Sequence, residues 1–274
     1  MLALRSARSG PAQTVAVAVA STLVFAFLVV VGITRSPGYG ELERYFFDWE
    51  RYGDSFPEIA DAFLLNVKIF SIAEAVILVS ALGLAVLRSL PGPVFFPLRA
   101  LAILYADFFR GVPTILVILM LGSGMPALQV AWVPKDQVFW AIVSLVLVYT
   151  AYVSEVYRAG IESVHPSQDA AARSLGLTRW QSLRYVVIPQ AVRRVVPPLL
   201  NDFIGLQKDT ALVSVLGVVE ALRQSQINEA ASFNGTYYLV AATLFVALTI
   251  PLARLTDWLI ARDRRRRQAA GVAA

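Results

Sequence analysis

The run TVAVAVASTLVFAFLVVVGI, residues 14–33, is twenty residues long and carries no charge. A helix of that length crosses a hydrocarbon layer about 30 Å thick, and in lipid a backbone must satisfy its own hydrogen bonds. A secretory leader is the other use of an N-terminal apolar run, but its apolar core is shorter, about 7–15 residues. The run is therefore read as a retained span. Further apolar blocks at about 61–87, 99–121, 138–160, 192–220 and 236–260 predict six transmembrane helices in an all-α polytopic membrane protein.

Composition agrees, with 57% hydrophobic and only 16% charged residues, where a soluble domain carries about 25% charged. The absence of cysteine excludes disulfides, thiol catalysis and cysteine-based zinc sites. A single histidine, His165, cannot build a histidine metal cluster and reads as a solvated linker residue. No stretch matches the phosphate-cradling G-x-x-x-x-G-K-[ST] loop, and no Ser/His/Asp or paired-carboxylate set suggests catalysis in a soluble pocket. The chain is read as a non-enzyme that binds no cofactor and no metal.

Charge gives the orientation. With the N-terminus inside, segments 1–13, 88–99, 158–194 and 261–274 hold fifteen arginines, against five Arg/Lys in 34–61, 122–137 and 222–235. That asymmetry places both termini in the cytoplasm. It also explains the net charge of +5 and the tail RDRRRR at 262–267 without nucleic acid. Segment 34–61 holds seven Asp/Glu against three Arg and reads as a solvated outer connector, with aromatics in RYFFDWERYG able to lie on the membrane surface. The aromatic and Met residues Met120, Met125, Trp132 and Trp140 read as interfacial belt and core rather than a ligand box. No repeat or low-complexity linker appears. The chain divides into 1–61, a membrane domain at 62–260 and a basic tail at 261–274.

Between the fourth and fifth spans lies HPSQDAAARSLGLTRWQSLRYVVIPQA, 165–191. Ser167 reads as an N-cap, Asp169 favours a first turn and the alanines favour helix. Gly176 ends that helix. Thr178 followed by Gln181 makes a capping box for a second helix, and Pro189 marks the start of the next span. Ala171, Ala172 and Leu175 form a small apolar face beside Arg173 and Arg179, suited to a groove on a cytosolic partner. A helix resting on the bilayer would carry bulkier anchors.

This stretch resembles the EAA loop of ATP-binding-cassette importer permeases, through Ala170-Ala171-Ala172, Gly176 and Ile188-Pro189. The stretches YADFFRGVPTIL (105–116), AYVSEVYRAGIESV (151–164) and NDFIGLQKDTALVSVLG (201–217) resemble the polar amino-acid permeases of that class, so the likeness covers roughly 62–260. It implies a permease subunit in the bacterial cytoplasmic (inner) membrane. It also implies two ATPase subunits holding ATP and Mg, an extracytoplasmic substrate-binding protein, a second permease copy or homologue, and an amino-acid substrate. The coupling helix would use Ser167, Asp169, Ala170, Ala171, Ala172, Arg173, Leu175, Gly176 and Leu177. Ala170 departs from the pattern, since the family places an acidic residue there. Asp169 is adjacent but points about 100° away around the helix.

Ionisable residues inside spans are functional candidates. Asp107 and Arg110 are three apart on one helix face, as are Glu155 and Arg158, with Tyr152 beside the latter. Gly111 and Pro113 loosen the helix after Arg110. Arg110 and Arg158 read first as packing ion pairs. Glu155, Lys208, Asp209 and Thr210 read as the translocation path, Glu155 meeting an ammonium and Lys208 or Thr210 a carboxylate. Asp107, Arg110 and Tyr152 join that set. Glu74 has no assigned role. The competing reading is an ion-coupled secondary transporter using Glu155 and Asp209, for which inverted repeats would be expected; none is evident.

Overall fold

The computed structural model describes residues 11–90 and 92–272, and these contain helices and turns but no strand. Arg5 and Arg8, and the side chains of Arg264, Arg266 and Arg267, lie outside the described residues. Eleven α-helices follow in order among the described residues: α1 Pro11–Thr34, α2 Tyr39–Phe46, α3 Trp49–Ser89, α4 Phe96–Gly111, α5 Thr114–Ala127, α6 Gln137–Glu162, α7 Pro166–Ser174, α8 Arg179–Ser182, α9 Ile188–Asp209, α10 Ala221–Ser232 and α11 Thr236–Val272.

Among the described residues, four helical segments are long and apolar enough to cross a membrane, five if the bent pair α4–α5 is one span. That pair replaces the single span expected at 99–121, with a bend of 101°. Pro113 explains it. A residue before proline is driven from helical to extended geometry, and Val112 sits at φ −91°, ψ 130°. The span expected at 192–220 becomes α9 followed by a 3₁₀ segment, Thr210–Leu216, ended by Gly217 at φ +80°. With five charges in its own length, α9 lacks the uninterrupted apolar stretch that the other spans have.

The connector expected at 34–61 is largely helical. Asp48 caps α3 by accepting from the Arg51 N–H at 3.1 Å, and α3 then runs through Pro57 for 41 residues. Tertiary contacts override the polar composition. Ile59 and Phe63 are buried with Val240 and Ala241 of α11, and the Phe63 and Phe245 rings meet edge to face 5.0 Å apart. Helix α2 is fastened to the turn before α11, where Gly235 N–H donates to the Tyr45 carbonyl at 2.8 Å. The Tyr45 and Phe46 rings lie against Gly235, where a side chain would collide with them.

The core is the α3–α6 seam. Ile69, Ala73, Ile77 and Ala81 recur every four residues on α3 and bury against Ala141, Leu145 and Val148 of α6. The alanines let the backbones approach, which is how helices pack where lipid removes the hydrophobic driving force. Gly160 of α6 does the same against Val195 of α9. By contrast α1 has none of its span buried.

Candidate functional site

The elbow at 165–187 forms as its local signals dictate, with one correction. The N-cap of α7 is His165, not Ser167: the ring Nδ1 accepts from the Ser167 N–H at 3.2 Å, and Pro166 takes the first helical position. Proline suits that position because its missing N–H would be unpaired there anyway. Gly176 turns the chain at φ +90°, a conformation that costs a side-chain-bearing residue strain. Thr178 and Gln181 then close the capping box. A π-helical turn, Leu183–Val187, joins α8 to α9. Pro189 cannot donate to the Tyr185 carbonyl, and the wider turn relieves the clash its ring would make.

The faces of the elbow sort differently from the expectation. Ala172 is turned inward, and Asp169 accepts from the Ser182 hydroxyl at 2.5 Å, tying the two arms together. These two residues hold the elbow's shape. What faces outward is Ala170, Ala171, Arg173, Gly176, Leu175 at 85% exposure, and Trp180 at 64%. Leu177 is half-buried. Trp180 was not among the residues expected to couple, although a tryptophan beside Arg179 in a polar loop is itself a signal of a binding surface.

Beside the elbow, a cleft of about 360 Å3 opens between α4, α6 and α9, lined by Arg110, Tyr152, Glu155, Arg194 and Asp202 among others. Glu155 is engaged at both oxygens. Oε2 accepts from Arg88 at 2.7 Å and Oε1 pairs with Arg158, which also pairs with Glu162. Arg194 donates to the Ser163 carbonyl. Arg110 has no ion pair among the described residues, so the expected Asp107–Arg110 pair does not form; instead the Arg110 carbonyl accepts from Tyr152 at 3.3 Å. Asp202 buries Oδ2 without a partner. The charges facing the cleft without an ion-pair partner among the described residues are thus Arg110, Arg194, which is held by a neutral carbonyl, and Asp202.

The remaining expected path residues lie at the end of α9 and at the start of the 3₁₀ segment that follows it. Tyr149 donates to Asp209 at 2.9 Å, passing Gly205, where a Cβ would stand 3.2 Å from the hydroxyl. Thr210 is fully buried, accepting from Asn66 at 3.1 Å and donating to the Gln207 carbonyl at 2.8 Å. Lys208 is exposed. Asn66 also donates to Glu220 at 2.8 Å and accepts from the Ala221 N–H, while Glu220 caps α10 through the Leu222 and Arg223 N–H groups. Glu74 is half-buried, and no hydrogen bond from it is present among the described residues. Sequence reasoning missed Asn66, Arg88, Arg194 and Glu220.

A bundle of membrane-crossing helices with an exposed, glycine-turned elbow next to a charged cleft is the build of a transport subunit. The chain belongs to the family of binding-protein-dependent transport system inner membrane components, whose model matches residues 92–265. It is 36% identical over 215 residues to the Probable amino-acid permease protein YxeN of Bacillus subtilis, covering 77% of this chain and 93% of that one. It is 32% identical to the glutamate/aspartate import permease protein GltK of Escherichia coli, covering 78% and 97%. A solved amino acid ABC transporter with histidines superposes at TM-score 0.70 with 28% identity, covering 78% of this chain and 98% of that one. This is a multi-pass inner-membrane protein and a transport subunit rather than an enzyme, as the resemblance implied.

Proposed function

We infer that the chain is the permease subunit of an ATP-binding-cassette importer for a polar amino acid, with both termini in the cytoplasm. The observation that carries this reading is the elbow. Leu175 and Trp180 stand exposed beside Arg173 and Arg179 at a tight turn that the Asp169–Ser182 contact braces. An apolar knob with cationic flanks on a rigid turn suits a groove in an ATPase subunit. That ATPase holds ATP and Mg; a second permease, the same chain or a homologue, completes the pore; a binding protein delivers substrate outside.

The cleft suits a zwitterion. Arg110 is free to meet the α-carboxylate and Asp202 the ammonium. Glu155, held by Arg88 and Arg158, positions α6 in this conformation, and Tyr152 orders the Arg110 turn. Lys208 and Asp209 lie further along α9, whereas Thr210, buried and bonded to Asn66 and the Gln207 carbonyl, holds the fold. Domain 62–260 does the transport, and the basic tail anchors the cytoplasmic side. ATP binding draws two elbows together and rocks the spans; hydrolysis resets them.

Reconstituted vesicles test the reading. ATP-dependent amino-acid uptake that survives a protonophore and a sodium ionophore is expected. Uptake without ATP that collapses with the ion gradient would establish the secondary-transporter reading instead.

A further inference from the structure

A second cavity, about 500 Å3 and almost wholly apolar, runs between α3 and α6 on the side away from the charged cleft. Its walls are helical stripes: Ile72 and Val76 on α3, and Phe139, Val143 and Leu147 on α6. From Phe139 to Leu147 the groove extends about 12 Å along the helix axis. One end carries two charges, Lys68 and Asp136. Asp136 caps α6 through Oδ1, which accepts from the Val138 N–H at 3.0 Å. Among the described residues no ion pair joins Lys68 and Asp136, and neither Lys68 Nζ nor Asp136 Oδ2 has a hydrogen-bond partner.

The charged end lies at the membrane boundary. Asp136 stands where the chain passes from an exposed turn into the apolar run of α6. Trp132, 82% exposed, and Trp140, whose indole N–H donates to the Pro134 carbonyl at 2.7 Å, flank it. Tryptophans in such positions mark the headgroup level. The groove therefore descends from headgroups into hydrocarbon with one cation and one anion at its mouth. A lysine there extends its stem along apolar surface and keeps its ammonium among phosphates.

We propose that this groove is a binding site for one phosphatidylethanolamine molecule. An acyl chain lies along Ile72, Phe139, Val143 and Leu147, the phosphate meets Lys68, and the headgroup ammonium meets Asp136 Oδ2. A lipid with a neutral glycerol headgroup leaves Asp136 unpaired, so phosphatidylglycerol binds less well. The site is independent of the substrate and the energy source assigned above, and needs only the membrane setting.

The test extracts the chain with its partner subunits in mild detergent from membranes containing both lipids and reads retained lipid by native mass spectrometry. One phosphatidylethanolamine per chain is expected. Val143→Trp fills the groove and removes it. Lys68→Met lowers retention of both lipids about fivefold, the effect of one basic residue near a charged headgroup. Asp136→Asn keeps the helix cap, since asparagine caps well, and abolishes the preference over phosphatidylglycerol. Equal retention of the two lipids by the unaltered chain would overturn the headgroup assignment, and no retention would overturn the site. The sequence has no cysteine, so Val143→Cys provides a single thiol. Disulfide-linked dimers of that variant under mild oxidation would assign the groove to a second copy and sink the proposal.

Discussion

Arg88 and Glu155 set the terms at the scale of residues. Their side chains are 11% and 23% exposed, on helices that both cross the membrane, and they meet at 2.7 Å. A buried charge deprived of its partner costs about 3–5 kcal/mol, whereas replacing both partners by apolar groups is often neutral. Glu155→Met alone should therefore destabilise by that order, because Arg88 stays buried while the more exposed Arg158 retains Glu162. Arg88→Met with Glu155→Met should recover most of the loss. Thermal unfolding in detergent measures both, and equal destabilisation by the single and double variants would refute the coupling. Asn66 is a second such point. It is 1% exposed and serves Thr210, Glu220 and the Ala221 N–H. Asn66→Ala should cost about 2–3 kcal/mol in the same assay, since a buried carboxylate loses a donor. A change under about 0.5 kcal/mol, as at ordinary surface positions, would count against it.

At the scale of elements, the elbow depends on one backbone angle. Gly176 sits at φ +90°, and the space where a Cβ would stand is open within 4 Å. Gly176→Val therefore acts in the isolated chain by backbone strain of about 1–2 kcal/mol, not by crowding. It should shift the Leu175–Trp180 knob and lower ATPase co-purification and uptake together. Gly176→Asn, which tolerates positive φ, should retain most of both. Full co-purification with Gly176→Val would remove the elbow from the coupling interface. This element was largely legible in the sequence because its determinants are neighbours: Gly176, Thr178 with Gln181, and the proline-bearing start of the next span. A loosening after Gly111 was legible for the same reason, since Pro113 acts on the residue before it, but the 101° bend that splits the expected span was not. The helicity of 48–61 was not legible. Its polar residues read as a connector, and only the docking of Ile59, Phe63 and Tyr45 on distant parts of α11 and its preceding turn makes it helix. Arg88 as the partner of Glu155, 67 residues away, and Asn66 as the partner of Glu220, 154 away, are invisible to local spacing. The local pair Glu155–Arg158 was visible and does form.

At the scale of the whole molecule, the charges separate into those held by partners within the fold and those without an ion-pair partner among the described residues. Arg88, Glu155, Arg158 and Glu162 neutralise one another, and Glu220 is surrounded by donors. Asp202 and Arg110 have no ion-pair partner among the described residues, and both face the same cleft, where Asp202 buries an oxygen without a hydrogen bond. A carboxylate oxygen buried without a partner costs stability, so Asp202 in the cleft wall fits the proposed role of meeting an ammonium that arrives and leaves. Asp202→Asn should leave assembly with the ATPase intact and leave thermal stability unchanged or raised, because it removes an uncompensated buried charge. It should raise the apparent KM for uptake about tenfold to a hundredfold, the value of one hydrogen bond to a charged group. Asp202→Leu should do the same to uptake, which separates loss of the ammonium partner from an effect of the amide itself. An unchanged KM in both variants, with stability unchanged or raised, would move the substrate away from this cleft and towards Lys208 and Asp209.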